Sequence, residues 1–503
     1  MKKGRRAISA ILILVLLIGV MSGCGGTSGG TGGTTGGGAS SGGTSVKLDP
    51  ANPTTITVWH YYGGAVMGAF DRMLKEFNET VGLEQGIIVQ GSSMGSVNDL
   101  QAAVLASAKK EVGSLEMPNI FASYADTAYV AEQMGILADL DQYFTEAELD
   151  EYILAYIDEG RIGSNNELKI FPIAKSTEIL MINETDWTPF ATECGFTFED
   201  MATPESLAIM AKAYYEWTDA KTPETANDGR AFYGRDAMAN MFIIGSMQLG
   251  VEVINVDAGE VTINVDEAVM RRIWDTYYIP YISGYYLSVG RYRSDDTKVG
   301  LLVAYVGSTS SAMYFPSEVT IDGDAHPVEV KILPAPIFAG GANVMVQQGA
   351  GMTVTKSTPE KEYASAVFLK WFTDTDSNVQ FSALSGYMPV KQAANDYELF
   401  MGIVEENGIS QDDISKMTLE VAFGAVNSGL MYTSKAFGGG TEARDLLNNL
   451  LQAKAAVDRA AVLELIVGGA THDEAVSQFD TDANFEAWYA DLDARIQATA
   501  TQG

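Results

Sequence analysis

The sequence predicts an α/β fold, because short β-rich runs alternate with helical stretches from Thr54 onward. The composition, with 47% hydrophobic and 19% charged residues, is typical of a globular protein. A length of 503 residues is enough for two domains of about 150–250 residues each. We therefore expect a large folded body built of α/β layers.

The chain begins with the pattern of a signal peptide over residues 1–23. Four positive charges in MKKGRR precede an apolar run from Ala7 to Val20, which is shorter than the roughly 20 residues that cross a bilayer. Met21-Ser22-Gly23-Cys24 follows and resembles the lipobox of bacterial lipoproteins. This resemblance implies an exported protein that is anchored to the outer face of the cytoplasmic membrane through lipid on Cys24. An ordinary secretory signal with an incidental cysteine is the alternative.

Residues 24–53 are expected to be the lipidated cysteine and a flexible tether. Residues 25–45 are Gly, Thr, Ser and one Ala, so they have no apolar surface to offset the entropy lost on ordering. As a coil they have a root-mean-square span of about 25 Å. With Cys24 lipidated, Cys194 is the one remaining cysteine, and no disulfide is expected.

The charge of the chain restricts its partners. The 32 Lys+Arg and 65 Asp+Glu give a formal net charge of −33, which becomes −37 when the signal peptide and its four positive charges are removed. Nucleic acid is bound mainly through lysine and arginine, so a nucleic-acid partner is not expected. An anionic ligand is disfavoured less strongly, because Arg291, Arg293 or Lys175 could form a local pocket for phosphate or carboxylate.

The first elements of the α/β pattern follow one another in regular order. Strands are expected at Thr55–Trp59, Ile87–Val89 and Ile120-Phe121, and helices at Val66–Thr80, Val97–Lys110 and Ala125–Met134. Ligands of open α/β sheets bind at the loops that follow the carboxyl ends of strands. Two such loops, His60–Gly64 and Ser123–Asp126, are aromatic and polar. Together they indicate a ligand site, although packing is the alternative role of each aromatic residue.

A dense aromatic group lies further along the chain. Its members are Trp274, Tyr277, Tyr278, Tyr281, Tyr285 and Tyr286. Flat aromatic rings stack on the apolar faces of sugar rings, and tyrosine hydroxyls can bind sugar hydroxyls. The helical spacing of the first four residues is also typical of a buried stripe, which is the more common structure for such a pattern.

Metal and cofactor motifs are scarce. The three histidines, His60, His326 and His472, show no metal-ligand spacing and no HExxH motif, so no zinc site is predicted. The segment from Asp480 imitates the start of a calcium loop, but Phe485 stands where that loop needs glycine, which favours a helix cap. The phosphate-binding motif GxxxxGK[ST] is absent. We expect neither a metal nor a cofactor.

Two enzymatic hypotheses remain from the sequence. Gly91-Ser92-Ser93-Met94-Gly95 matches the nucleophile elbow GxSxG, but a triad would also need His326 or His472, and an ordinary strand-to-helix turn explains the segment as well. A carboxylate pair for glycoside hydrolysis stays open, since 65 acidic residues supply many pairs and the required separation is spatial.

Segments spread over residues 54–490 together resemble the family 1 extracellular solute-binding proteins, the sugar-binding type that delivers ligands to ABC importers. The segments are ITVWHYYGG, FDRMLKEFNET, PNIFASYADTAYVAEQMGILADL, FPIAKSTEILMINETD, VGLLVAYVGSTSSAM, LPAPIFAGG, QQGAGMTVTKST, AVFLKWFTDTDSNVQFS and SGYMPVKQAA. Each segment alone is a weak signal, but their order is fairly specific.

The resemblance implies a two-lobe, periplasmic-binding-protein-like fold with a ligand cleft between the lobes. The chain would cross between lobes near Ala174, Gln347 and Gly386. The implied N-terminal lobe is 54–173 with 346–386, and the implied C-terminal lobe is 174–345 with 387–500. Hinge closure around the ligand is the expected motion.

The resemblance also implies which residues bind the ligand. Asp126 is the leading polar candidate, since a carboxylate can accept hydrogen bonds from two vicinal hydroxyls, while capping of the helix near Thr127 is its alternative role. The other implied residues are Trp59, Tyr61, Tyr62, Ser123, Tyr124, Ser176, Glu178, Gly307, Ser308 and Thr309, with Gly349 and Gly351 as close backbone and Gly386 and Tyr387 at the third crossing. Sugar binders often carry an aromatic close to the position of Thr309; its absence here leaves Tyr281, Tyr285 or Tyr314 to stack on a sugar.

The expected function is capture of a carbohydrate or polyol for an ABC importer by a lipid-anchored monomer, without catalysis. The alternatives are an exported lipid-anchored glycoside hydrolase and a structural surface lipoprotein. The size of the ligand, and the choice between a sugar and a glycerol or sugar phosphate, are left open by the sequence.

Overall fold

A computed structural model describes residues 46–163, 165–257, 259–321 and 323–501. The predicted signal peptide, the predicted lipidation site Cys24 and residues 25–45 of the predicted tether lie outside these described residues. Residues from Val46 onward form a unit by themselves.

The described residues contain short strands spread along the whole chain. The strands are β1 Thr54–His60, β2 Ile87–Ser93, β3 Ile120–Ser123, β4 Arg161–Ile162, β5 Glu167–Leu168, β6 Ile170–Phe171, β7 Glu178–Asn183, β8 Tyr233–Arg235, β9 Ile254–Asp257, β10 Glu260–Ile263, β11 Ala304–Ser308, β12 Glu318–Ile321, β13 Asp324–Pro327, β14 Val330–Pro334, β15 Val344–Val346, β16 Gly351–Val354 and β17 Leu430–Tyr432.

Helices fill most of the chain between these strands. They are α1 Gly64–Glu79, α2 Val81–Gln85, α3 Val97–Ala108, α4 Ala125–Gln133, α5 Glu146–Leu149, α6 Leu154–Glu159, α7 Glu184–Cys194, α8 Pro204–Asp219, α9 Met238–Gln248, α10 Glu267–Ile273, α11 Ile279–Ile282, α12 Arg293–Lys298, α13 Pro359–Phe372, α14 Thr375–Ser385, α15 Tyr397–Glu406, α16 Asp413–Ser428, α17 Gly440–Val467, α18 His472–Ser477 and α19 Asp482–Thr499. A π-helical turn, Trp274–Tyr278, joins α10 to α11.

The predicted first elements are present with nearly the expected bounds. Helix α1 buries Phe70, Met73 and Phe77 on one face, as its hydrophobic period predicts. Helix α3 begins with a capping box, in which the Ser96 side chain accepts from the backbone of Asp99 and the Asp99 carboxylate accepts from the backbone of Ser96. The segment GSSMG is therefore the end of β2 and the turn into α3.

Two sheets organise the described body. The first has five strands in the order β2-β1-β3-β16-β6, with β1 parallel to β2 and β3, and β16 antiparallel to both of its neighbours. The second has four strands in the order β14-β7-β11-β8, with β11 antiparallel to β7 and parallel to β8. We call the bodies around these sheets the first and the second lobe. The predicted two-lobe α/β fold is confirmed.

Each lobe has its own hydrophobic core. Phe70 and Phe121 lie in the first core, and Trp274 lies in the second. Helices α17 and α19 pack in the second core through residues such as Leu447 and Trp488. Met388, Val390 and Met431 lie in the first core, whereas the sequence assigns all of 387–500 to the second lobe. The bounds of the two lobes stay a prediction.

Three connecting segments between the sheets lie side by side. The backbone of Ser176 exchanges hydrogen bonds with that of Gln348, with N···O distances of 2.9 and 2.8 Å. The amide of Lys175 donates to the carbonyl of Met388 over 3.0 Å. The segments near the predicted crossings at Ala174, Gln347 and Gly386 therefore form one hydrogen-bonded strip beside the cleft.

Candidate ligand-binding site

A cleft between the two lobes contains two adjoining pockets. The larger has a volume of about 660 Å³, and we call it the tyrosine pocket because Tyr124, Tyr292, Tyr314 and Tyr387 line it. The smaller has a volume of about 370 Å³, and we call it the polar pocket. Its lining includes Asn98, Gln101, Asp126, Glu159, Gln347 and Arg444. Both pockets are bounded by Tyr124, Gln348 and Gly349, so they meet at the connecting segments.

Half of the residues implied by the sequence lie at these pockets. Those at the tyrosine pocket are Tyr124, Ser176, Glu178, Gly307, Ser308, Tyr314, Gly349 and Tyr387. Asp126 lies at the polar pocket. The structure thus brings together side chains and backbone from the residues after β3, from β7 and β11, and from the connecting segments, which are distant in the sequence.

The tyrosine pocket has a second row of aromatic rings behind its wall. The ring of Tyr61 stacks on that of Tyr124 with a centroid distance of 6.3 Å, and Tyr62 meets the edge of Tyr387 at 6.4 Å. Burial raises the pKa of Tyr124 and raises that of Tyr387 to about 12. Their phenols are therefore neutral at physiological pH and can donate hydrogen bonds. Tyr61 and Tyr62 support the wall but do not line either pocket.

Four further residues implied by the sequence lie beneath the cleft. Trp59 is buried in the first core, and Thr309 is 2% exposed. The hydroxyl of Ser123 donates to the carbonyl of Tyr124 over 2.8 Å, so it holds the loop. Gly351 lies within β16, where an added Cβ would stand 2.8 Å from the carbonyl oxygen of Phe171. A glycine is needed at this position so that β6 can lie close to β16. The prediction that the backbone of Gly351 approaches the ligand is therefore corrected.

The predicted stacking role of Tyr281 and Tyr285 is also corrected. Both are less than one-tenth exposed and belong to the core of the second lobe. Tyr285 packs against Tyr215 and His472, with centroid distances of 5.3 and 5.9 Å. The helical spacing of this segment marks a buried stripe, because one face of α10 and α11 turns inward.

Gly386 lies at the end of α14 in the left-handed region, with φ of 73°, where glycine has no steric penalty. An added Cβ would stand 3.5 Å from Met313 Cε and from Ser310 Cα, on the second lobe. The residue thus turns the chain next to the tyrosine pocket and does not line it.

Glu178 is fixed by two neighbours. Its carboxylate accepts from Arg235 Nη2 over 2.7 Å and from Asn240 Nδ2 over 2.8 Å, and the residue is 8% exposed. Burial disfavours the charged form of Arg235, but Glu178 and the neighbouring Tyr233 and Tyr277 together raise the pKa of Arg235. The charge of Glu178 is therefore balanced by Arg235, and its carboxylate lines the tyrosine pocket as a hydrogen-bond acceptor.

Asp126 reaches across the cleft to helix α17. Its carboxylate accepts from Thr441 Oγ1 over 3.4 Å, and an added Cβ at Gly440 would stand 2.5 Å from Asp126 Oδ1. Burial raises the pKa of Asp126, while Arg444 and the bond from Thr441 act in the opposite direction. The carboxylate faces the N-terminus of another helix and not that of α4, whose N-cap is Tyr124.

Sequence reasoning missed several pocket residues. Asp236 follows β8 directly, lines the tyrosine pocket and accepts from the amide of Arg293 over 2.9 Å, and burial raises its pKa. The strand-end rule used for Ser123–Asp126 could have found it. Arg444 carries no local signal, because helix α17 is brought to the cleft only by the tertiary fold.

The nucleophile-elbow hypothesis finds no Ser-His side-chain pair among the hydrogen bonds of the described residues. Ser93 Oγ donates to the carbonyl of Tyr62, His326 pairs with Asp186, and His472 bonds the carbonyl of Ser283. No cluster of three or more His, Cys, Asp or Glu in the described ranges could hold a metal ion. The calcium-like segment is the start of α19, which Thr481 caps, as the sequence favours.

Comparisons with known proteins agree with this architecture. Two α/β lobes with a polar cleft at their connecting segments define a class of proteins that bind small solutes. The family model described as bacterial extracellular solute-binding protein matches residues 72–407. The chain therefore belongs to the family of bacterial extracellular solute-binding proteins, and the resemblance seen in the sequence is confirmed at this level. A search of curated protein sequences finds no match.

Solved structures support the fold. The cyclic α-maltosyl-1,6-maltose binding protein of Arthrobacter globiformis is 17% identical, with a TM-score of 0.64, and the match covers 90% of this chain and 100% of that one. UgpB of Mycobacterium tuberculosis, in complex with glycerophosphocholine, is 15% identical with a TM-score of 0.62 over 89% and 99% of the chains. An ABC substrate-binding protein of Listeria monocytogenes, in complex with cycloalternan, is 16% identical with a TM-score of 0.61 over 89% and 100%. Within the described residues, no helix is long and apolar enough to cross a membrane.

Proposed function

We propose that the protein captures a neutral carbohydrate or polyol in the interlobe cleft and delivers it to an ABC importer. The observation that carries this proposal is the composition of the tyrosine pocket. The rings of Tyr124 and Tyr387, whose phenols are neutral, lie beside serine hydroxyls and the fixed carboxylate of Glu178. Rings can stack on the apolar faces of a sugar, and the polar groups can bind its hydroxyls.

Three buried basic residues near the cleft are already paired with carboxylates, so an anionic ligand would depend on Lys298, Lys435 and Arg444, which line the pockets. Lys175 pairs with Glu159, Arg235 with Glu178, and Arg293 with Asp296, and all three basic side chains are buried. Two of them were the sequence candidates for a phosphate or carboxylate pocket. Among the structural neighbours, the Arthrobacter protein is named for a maltose-type sugar and the Listeria protein is in complex with cycloalternan, which favours a carbohydrate ligand. UgpB is in complex with glycerophosphocholine, so a glycerol phosphodiester is the competing ligand class.

The mechanism we propose is closure of the lobes without a covalent step. A ligand that contacts both lobes favours the closed arrangement by its differential affinity. The importer would then recognise the closed surface. Export through residues 1–23, lipidation of Cys24 and a monomeric state belong to this proposal, as do the lobe bounds 54–173 with 346–386 and 174–345 with 387–500.

A thermal-shift screen of residues 46–503 tests the proposal. The panel contains mono-, di- and oligosaccharides, polyols, sugar phosphates, glycerophosphodiesters and amino acids, and the protein is first unfolded and refolded to remove bound solute. A ligand at one hundred times its Kd stabilises the folded state by roughly 2.7 kcal/mol. We expect one group of neutral sugars or polyols to raise the midpoint. A shift confined to phosphates would contradict the neutral ligand class, and recovery of cleaved sugar would favour the glycoside hydrolase.

A further inference from the structure

A chain of polar side chains, three of them buried and the fourth, Arg444, half-buried, joins the two pockets of the cleft. Arg235 Nη2 donates to Glu178 Oε2, and Asn240 Nδ2 donates to Glu178 Oε1. On its other side, Asn240 Oδ1 accepts from Arg444 Nη2 over 2.7 Å. Glu178 lines the tyrosine pocket and Arg444 lines the polar pocket, while Asn240 lines neither.

The amide of Asn240 has a defined orientation. The residue lies in α9 and is 1% exposed. Its NH₂ group faces a carboxylate and its oxygen faces a guanidinium. The reverse orientation would place two acceptors together at Glu178 and two donors together at Arg444, so the neighbours specify one rotamer. Both ends of the Asn240 amide thus form hydrogen bonds with charged side chains. Such bonds are stronger than hydrogen bonds between two neutral groups.

Asn240 also determines where Arg444 points. Among the described residues, Asn240 is the one hydrogen-bond acceptor found for this guanidinium. Arg444 lines the polar pocket, and its charge acts on the carboxylate of Asp126 there. Removal of the amide oxygen would release the guanidinium, and removal of the NH₂ group would leave Glu178 with Arg235 alone.

We propose that Asn240 is a positioning residue that fixes Glu178 in the tyrosine pocket and Arg444 in the polar pocket as one unit. The inference rests on the proposed function of the cleft. A sugar chain long enough to occupy both pockets is then recognised by two groups whose positions depend on one amide. A single sugar ring in the tyrosine pocket uses only the Glu178 side of this unit.

Calorimetric titrations of the purified protein test this role. The probes are maltotetraose, cellotetraose, xylotetraose and mannotetraose, together with their monosaccharides. For the tetrasaccharide that wild type binds, Asn240→Leu should weaken binding about tenfold or more, since hydrogen bonds to two charged groups are lost. For the matching monosaccharide the loss should be smaller. Asn448→Leu is the matched control, because Asn448 contacts the start of α9 but lines neither pocket, and its affinities should equal those of wild type.

A double-mutant cycle separates positioning from general damage. Arg444→Met alone should weaken tetrasaccharide binding. In that background Asn240→Leu should add only the smaller loss that it causes for the monosaccharide, because the part that acts through Arg444 is already gone. Arg444→Met also tests the polar-pocket end if Asn240→Leu does not fold. Wild-type affinity in Asn240→Leu, full additivity in the cycle, or wild-type affinity in Arg444→Met would overturn the inference. If the wild-type protein binds monosaccharides but no tetrasaccharide, the inference is overturned and the proposed function still stands. If the wild-type protein binds neither these probes nor any solute of the screen, the proposed function itself is contradicted.

Discussion

Asp126 shows how single residues at the cleft combine burial with charge. Burial raises the pKa of its carboxyl group above the ordinary value, although Arg444 and Thr441 act in the opposite direction. The charged form is therefore less favourable here than in water. A residue that is held in this way at the edge of a pocket is typical of a functional site.

We expect Asp126→Asn to weaken ligand binding without lowering stability at pH 7. Because the folded pKa of Asp126 is raised, the stability that this residue contributes is present when the pH is below its unfolded pKa of about 3.8. That stability is lost as the pH rises through the folded pKa. At pH 7 the amide removes this unfavourable charge and keeps an acceptor for Thr441. Loss of a hydrogen bond from a sugar hydroxyl to a charged group should weaken binding about tenfold. Thermal unfolding and calorimetry measure the two effects, and a large drop of the midpoint with unchanged affinity would make Asp126 structural.

His60 should make the stability of the first lobe depend on pH. The residue is 1% exposed, its ring packs on Phe70 at 4.8 Å, and its Nδ1 accepts from the amide of Tyr62 over 3.2 Å. Burial lowers its pKa to about 4, below the ordinary value of 6.5. The stability it contributes is therefore present above pH 6.5 and is lost as the pH falls towards 4. Urea unfolding at pH 7, 5.5 and 4.5 should show a shallower pH dependence for His60→Asn than for wild type, and equal slopes would contradict this account.

At the scale of elements, the N-terminus of α17 depends on two adjacent glycines with different roles. An added Cβ at Gly439 would overlap the carbonyl oxygen of Thr499 in α19, whereas one at Gly440 would meet the carboxylate of Asp126. A backbone oxygen cannot move away easily, but a side-chain carboxylate can rotate. The first glycine is thus needed for packing and the second for the contact across the cleft.

Gly439→Ala and Gly440→Ala form a matched pair that tests this difference. Gly439→Ala should destabilise the protein by about 1–3 kcal/mol, as expected for overpacking. Gly440→Ala should change stability by no more than about 1 kcal/mol but displace Asp126 and weaken ligand binding. Chemical unfolding gives the free energies, and titration with the ligand from the screen gives the affinities. Equal effects of the two variants on both quantities would contradict the assignment.

Local patterns in the sequence predict elements better than they predict contacts between elements. The strand β1 and the helices α1, α3 and α4 follow from hydrophobic period and capping residues that lie within a few positions of one another. The aromatic stripe at Trp274–Tyr286 has a period that fits both a core and a binding surface, and the structure places it in the core. The pairing of Glu178 with Arg235 joins residues far apart in the chain, so no local pattern contains it.

At the scale of the whole molecule, the connecting segments hold the cleft in shape. Lys175 is 2% exposed, pairs with Glu159, and donates to the carbonyl of Gly349 over 3.1 Å. Gln347 Nε2 also donates to Glu159 over 2.7 Å. This cluster ties two connecting segments to helix α6, at the place where the tyrosine and polar pockets meet.

Lys175→Met should destabilise the whole body. Removal of one partner leaves the carboxylate of Glu159 poorly compensated in a buried place, which costs about 3–5 kcal/mol. Lys391→Met is the control, since Lys391 pairs with the exposed Glu151, and such a pair contributes about 0–1 kcal/mol. Urea unfolding of both variants measures the difference. Equal free energies would show that the buried pair does not hold the connecting segments.

The central claim is that the cleft binds a neutral sugar or polyol and returns it intact. Calorimetric titration of residues 46–503 with the best ligand of the screen tests it most directly, when it is followed by mass analysis of the recovered ligand. We predict saturable binding of one ligand per chain, weakened at least tenfold by Tyr387→Ala, with the ligand unchanged in mass. Absence of binding across the panel, or recovery of shortened sugars, would contradict the account.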